Sequence, residues 1–356
     1  MTSKYMESIS DSGDRQLHPI VPGIYVPTLC FFNPETEDLD LLTIGKHAVR
    51  LAQAGVTGLT IHGSNGEAVH LSNDERSEII RTTRKALNDA GFQSMPLMAG
   101  CSANSTRETI KQCQDAYKAG ADCALVLTAS YYRTLFTPDS VIQYFHDVAD
   151  ASPIPIIIYN YPPVVGGLDL DSDTLITLSK HPNIIGCKFT CGNTGKLNRV
   201  VAAQRRDASG SSGKPTAPGF LCFGGSGDFT LQTLIGGGVG IIGGIGNLAP
   251  KTCVQVEQLF RQGKLVEAQK VQEILARGDW AAIQGGVVGI KSAMMSHCGY
   301  GGYGRKPLPR PTEEEQKVYA QQFRELVEFE NSFSHQAKIL VGVNSKLPGM
   351  KTCEAI

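Results

Sequence analysis

Short, almost wholly apolar runs recur along this chain with helix-length amphipathic segments between them. That alternation restricts the fold more than any other feature. The runs are Ile24–Phe31, Gly58–Gly63, Pro96–Cys101, Cys123–Ala129, Pro155–Pro162, Ile184–Phe189, Gly219–Gly225 and Gly240–Asn247. Near-continuous apolar character belongs to strands covered on both faces, as in parallel sheets. Between them, segments such as Asp38–Ala54, Ser72–Ala90 and Ser105–Ala119 repeat apolar residues at helical spacing. Ser72 followed by Glu75 reads as a capping box. Glycines at Gly55, Gly120 and Gly236–Gly238 end helices and open the next strand. The pattern predicts eight βα units and therefore an α/β fold, a (β/α)8 TIM barrel. An open doubly wound sheet is the alternative. It is disfavoured because no GxGxxG follows the first run, and Gly243-Gly244-Ile245-Gly246 lies at the end of the eighth.

The expected organisation is a flexible N-terminal arm over 1–20, the barrel over 21–262, C-terminal helices over 263–335 and a tail over 336–356. Within the appendage, Leu265–Ala282, Gly286–His297 and Thr312–Phe333 read as three helices. Asp207–Gly219, rich in Gly and Ser, reads as a surface loop before the seventh strand.

The formal net charge of −1 offers no electrostatic case for nucleic acid or an anionic membrane as partner. The apolar run around Ile154–Ile158 is far too short to span a bilayer. Met1–His18 is polar and mixed in charge, unlike a signal or transit peptide, so the cytosol (a cytoplasmic location) is expected. The ten cysteines include no CxxC pair, so neither zinc nor a redox motif is expected. Scattered thiols suit a reducing compartment.

In a barrel of this kind, active residues sit at the C-terminal ends of the strands. Lys188, near the end of Ile184–Phe189, is a charged amine in an apolar run. It either snorkels to water or stays buried with a lowered pKa, and a neutral amine condenses with a keto group to a Schiff base. Gly63-Ser64-Asn65-Gly66-Glu67 ends the second run. It is either an ordinary glycine turn or one whose N–H groups and Ser64 hydroxyl hold an anion. Glu67 reads as structural. Tyr131-Tyr132 after the fourth run are packing residues or a proton relay. Tyr159 and Tyr161 share a strand face next to Lys188, and a phenol there can move protons. Glycines of the eighth strand leave room for a ligand. Ser226, in the loop after the seventh run, either faces water or donates to a substrate hydroxyl.

Together these positions resemble the pyruvate-dependent class I aldolase and lyase family of dihydrodipicolinate synthase and N-acetylneuraminate lyase. The resemblance spans Gly23–Pro309 and rests on the Gly-Ser-Asn-Gly-Glu turn, Tyr131-Tyr132, Tyr159-Asn160-Tyr161-Pro162 and Gly186-Cys187-Lys188, in the family's order. It implies Lys188 as the Schiff-base lysine and Tyr159 as proton shuttle. Ser64 and Asn65 would bind the substrate carboxylate, Tyr132 would complete the relay, often across a subunit boundary, and Ile242 would shape the site with its backbone. It further implies a small 2-oxo acid substrate, no metal or other cofactor, and a homo-oligomer, tetramer or dimer. Val164 stands where dihydrodipicolinate synthase has a carboxylate-binding arginine, so that condensation is disfavoured. Asn65, Tyr131-Tyr132-Arg133, His181-Pro182-Asn183-Ile184 and the opening Gly23-Ile24-Tyr25-Val26-Pro27-Thr28 resemble the branches that cleave 2-keto-3-deoxy-L-hexonates or 4-hydroxy-2-oxoglutarate. The first of these branches is the expected activity, the second its alternative. A non-catalytic 2-oxo acid binding protein is a further alternative; Tyr132 and Tyr159 argue against it.

Overall fold

The structure, a computed structural model, describes residues 15–210 and 219–333. Eight parallel strands close into a barrel in chain order: β1 (Gly23–Pro27), β2 (Gly58–Ile61), β3 (Leu97–Gly100), β4 (Cys123–Leu127), β5 (Ile156–Asn160), β6 (Ile184–Phe189), β7 (Leu221–Gly224) and β8 (Gly240–Ile242). β8 pairs back on β1 with Tyr25 opposite Ile242. The helices between them are α1 (Leu41–Gln53), α2 (Asn73–Asp89), α3 (Thr106–Ala119), α4 (Pro138–Ala151), α5 (Ser172–Leu178), α6 (Thr194–Gly210) and α7 (Thr230–Ile235). After β8 come α8 (Pro250–Arg261), α9 (Leu265–Cys298), α10 (Glu313–Gln322) and a last helix over 324–333. None of the described helices is long and apolar enough to cross a membrane.

Period-two alternation sorts each strand between two cores. On β5, Ile157 and Tyr159 face the barrel interior with Tyr25, Met98, Leu125, Phe223 and Ile242. Ile156 and Ile158 face the surrounding helices. On β6, Cys187 and Phe189 belong to the outer core, which turns Gly186 and Lys188 inward.

Most strands stop earlier than their apolar runs. The eighth was expected over Gly240–Asn247 but ends at Ile242, and Gly244–Asn247 forms a 3-10 turn. Asn247 holds that turn: its amide donates to the carbonyls of Pro27 and Gly244, and its oxygen accepts from the Leu29 N–H. Similar turns follow β2, β4, β5 and β7. After β8 apolarity continues past the last ladder bond because Ile245, Gly246 and Asn247 are buried as well, so hydrophobicity alone overruns that strand. The capping box of α2 forms as the sequence implies, with Ser72 and Glu75 exchanging bonds.

Residues 15–20, within the expected arm, are fastened to the N-terminal face of the barrel. Arg15 and His18 bond to the Asp122 carboxylate, which also receives Arg84, and Ile20 joins the interior core. The expected loop over Asp207–Gly219 begins later, since α6 extends to Gly210; 211–218 lie outside the described residues, as does the tail over 336–356. The first two appendage helices are one element, α9, broken at Gly286, whose φ of 55° and ψ of −154° are not helical. α9 packs against α8, α10 and the turns after β2, β7 and β8.

Candidate active site

Lys188 is one residue from the end of β6 and only 3% exposed. Among the described residues it has no carboxylate or hydrogen-bond partner. Burial alone therefore acts on it and pulls its pKa down to about 7. The amine lies 4.2 Å from the ring centroid of Tyr159, its register neighbour on β5. Snorkelling is thereby excluded, and a substantial share of the amine is neutral near neutral pH.

Tyr159 is buried beside it, and burial pushes its phenol up to about 12; the Ser64 and Thr190 hydroxyls act in the opposite direction. The phenol lies 3.4 Å from Ser64 Oγ. Tyr161 stacks on Tyr159 with centroids 5.6 Å apart. The phenol is thus protonated in the resting site, and a permanent cation at Lys188 would raise its acidity.

The β2 turn brings Ser64 and Asn65 to the same rim. Gly66 and Glu67 donate their N–H groups within the turn, to Gly63 and Ser64. The N–H groups of Ser64 and Asn65 have no acceptor among the described residues and remain free for an anion. Asn65 leans on Gly244, where a Cβ would fall 2.3 Å from its amide nitrogen. This gives Gly244 a physical purpose: it admits the β2 turn. Ile242 is fully buried in the barrel interior, opposite Tyr25.

Two of the sequence candidates stand apart. Tyr132 is 60% exposed and Tyr131 78%, packed edge-to-face with centroids 5.0 Å apart. Among the described residues Tyr132 makes no hydrogen bond or ring contact with Lys188, Tyr159 or Ser64. Ser226 donates its hydroxyl to Asp279 of α9 at 2.5 Å, so toward a ligand it offers lone pairs rather than a proton. Asp279 is buried, and burial raises its carboxyl to about 6.

Sequence reasoning missed Thr190, whose buried hydroxyl adjoins Tyr159 and acts on its phenol. It follows Lys188 by two residues, so strand alternation could have found it. It also missed Thr60, an inward-facing hydroxyl on β2 with no hydrogen-bond partner among the described residues. Asp279 left no local signal, because it comes from a helix that α9 carries back over the β7 turn.

A profile of the Dihydrodipicolinate synthetase family matches residues 22–326. A relative from Emericella nidulans, named "Probable 4-hydroxy-2-oxoglutarate aldolase, mitochondrial", is 52% identical over 89% of this chain and 99% of its own. An "L-threo-3-deoxy-hexylosonate aldolase" from Hypocrea jecorina is 50% identical over 88% and 99%, and one from Aspergillus niger is 47% identical over 88% and 97%. Among solved structures, YagE from E. coli K12 in complex with pyruvate superposes with a TM-score of 0.77 at 26% identity, covering 86% of this chain and 99% of that one. A dihydrodipicolinate synthase family protein from Coccidioides immitis gives 0.76 at 32% identity, over 89% and 98%.

Proposed function

The chain belongs to the dihydrodipicolinate synthetase family, and we propose that within it the protein is a class I, pyruvate-forming aldolase acting on a 2-keto-3-deoxy sugar acid such as 2-keto-3-deoxy-L-galactonate. The observation that carries this reading is the buried, unpaired Lys188 beside Tyr159 at the C-terminal rim of the barrel.

In the proposed cycle the neutral Lys188 amine adds to the C2 carbonyl, with the carboxylate seated on the Ser64–Asn65 turn. Tyr159 protonates the departing hydroxyl, which leaves as water; an iminium and a phenolate remain. The phenolate removes the C4 hydroxyl proton, the C3–C4 bond breaks, and its electron pair passes into the iminium. L-Glyceraldehyde departs and an enamine is left. Tyr159 returns the proton to C3, and water hydrolyses the pyruvyl iminium to pyruvate and free lysine, the released proton going back to the Tyr159 phenolate. The iminium is the electron sink throughout. Borohydride reduction with pyruvate, followed by peptide mass spectrometry, should place the adduct on the peptide containing Lys188. An adduct elsewhere, or none, overturns the assignment.

The second reading is cleavage of 4-hydroxy-2-oxoglutarate to pyruvate and glyoxylate, which the name of the Emericella relative favours. The sugar acid is preferred because a second substrate carboxylate would require a cation, and Val164 stands at the arginine position. Side-by-side turnover of both substrates, with coupled pyruvate detection, separates the two readings. Binding of pyruvate without any turnover would point instead to a 2-oxo acid binding protein.

The exposed Tyr131, Tyr132 and Leu135 support a homo-oligomer, in which Tyr132 would reach a neighbouring site. Light scattering tests this. The cytosol is the location we propose, whereas one relative's name says mitochondrial; fractionation of cells carrying the tagged chain distinguishes the two.

A further inference from the structure

Glu67 adopts a left-handed backbone, φ 52° and ψ 40°, which residues of its type seldom take and which persists only where the surroundings impose it. Its N–H closes the Ser64–Gly66 turn on the Ser64 carbonyl at 3.2 Å. The conformation of Glu67 therefore sets how Ser64 and Asn65 present themselves at the rim.

The Glu67 carboxylate is buried and gripped from the appendage. Oε1 accepts from Lys291 Nζ at 2.5 Å, and Oε2 from the Arg305 N–H at 2.9 Å. His70 Nδ1 stands 3.1 Å from Oε2. Gly304 lies so close that a Cβ there would stand 3.2 Å from the carboxylate. Lys291, on α9 beyond the break at Gly286, is fully buried. Its amine also donates to the Tyr303 carbonyl at 3.0 Å and lies 4.7 Å from the Phe32 ring centroid. Nothing in the chemistry above uses Lys291, and it touches neither Lys188 nor Tyr159.

We propose that Lys291 is a positioning residue for the substrate carboxylate: through Glu67 it holds the Ser64–Asn65 turn in the shape that receives a 2-oxo acid. The C-terminal appendage then sets the preference for a 2-oxo acid over a plain ketone. This inference rests on the aldolase reading. A purely structural ion pair would affect stability but leave that preference alone.

The test is borohydride trapping on Lys188 at graded concentrations of pyruvate or acetone, read by intact mass, for the wild type, Lys291→Met and Lys291→Arg. Acetone offers the ketone without the carboxylate. Lys291→Met should lower the pyruvate-over-acetone preference about tenfold, since a charge-assisted contact is removed from the turn's support. Lys291→Arg should restore most of it. If Lys291→Met does not fold, Glu67→Gln takes its place, with the same expected loss. An unchanged preference in the folded variant overturns the inference. A wild-type chain that traps acetone on Lys188 but shows no preference for pyruvate overturns it too. No adduct on Lys188 from either compound overturns the aldolase reading, and the inference with it.

Discussion

Lys188 and Lys291 are both buried lysines at the same end of one barrel, and their surroundings make them opposites. Among the described residues Lys188 has a phenol ring beside it and no counter-charge or hydrogen-bond partner, so burial acts unopposed and brings its pKa to about 7. For Lys291 burial also lowers the pKa, but Glu67 works in the other direction through charge and hydrogen bonding. In the proposed reading the first serves as the nucleophile because it lacks a partner, whereas the second is paired with a carboxylate. Burial alone therefore does not identify a reactive lysine. The missing counter-charge does.

The most severe break in the comparison is Lys188→Ala, which should reduce turnover by about 10⁴-fold or more, because the covalent route disappears. Steady-state pyruvate release measures it, and residual activity near wild type would refute the Schiff-base assignment.

Substituting each lysine by methionine should change stability in opposite directions. Lys291→Met leaves a buried carboxylate short of its cation and should cost about 3–5 kcal/mol in urea unfolding. Lys188→Met should stabilise, by on the order of 4 kcal/mol at pH 7. The sign follows from proton uptake. The unfolded lysine holds its proton up to about pH 10.4, whereas the folded amine releases it near 7. Wild-type stability therefore rises with pH across that window, and the gap to Lys188→Met closes. A gap that widened with rising pH would contradict a neutral buried amine.

Tyr159→Phe keeps the ring beside Lys188 and removes the proton carrier. A fall in kcat of about 10²–10⁴-fold with little change in KM is expected. An unaffected kcat would move the proton chemistry to another group.

The smallest effect sharpens the comparison most. Below pH 7, kcat/KM should fall about tenfold per pH unit as Lys188 takes up its proton. Thr190→Asp places a carboxylate two residues along the same strand face and should move that limb upward by about one unit. A limb that stayed fixed would mean that a counter-charge does not control the nucleophile.

Much of this was legible in the linear sequence. Apolar runs in regular alternation imply both-face burial and hence the barrel, because each strand's pattern records its own surroundings. Lys188, Tyr159 and Ser64 were legible for the same reason: each sits at the end of a recognisable strand, and strand ends share a rim. The limits of β8 were not, since Ile245 to Asn247 remain buried after the ladder ends and hydrophobicity does not mark that change. Glu67 read as structural from the turn alone, yet nothing near it in sequence announced Lys291, which lies 224 residues away. The same holds for Asp279 and Ser226, 53 residues apart. By itself, then, the sequence determined the barrel and which side chains reach its rim, because periodicity and strand ends are local properties. Only the tertiary structure decided which buried lysine lacks a counter-charge, because the partner is brought from, or withheld by, distant parts of the chain.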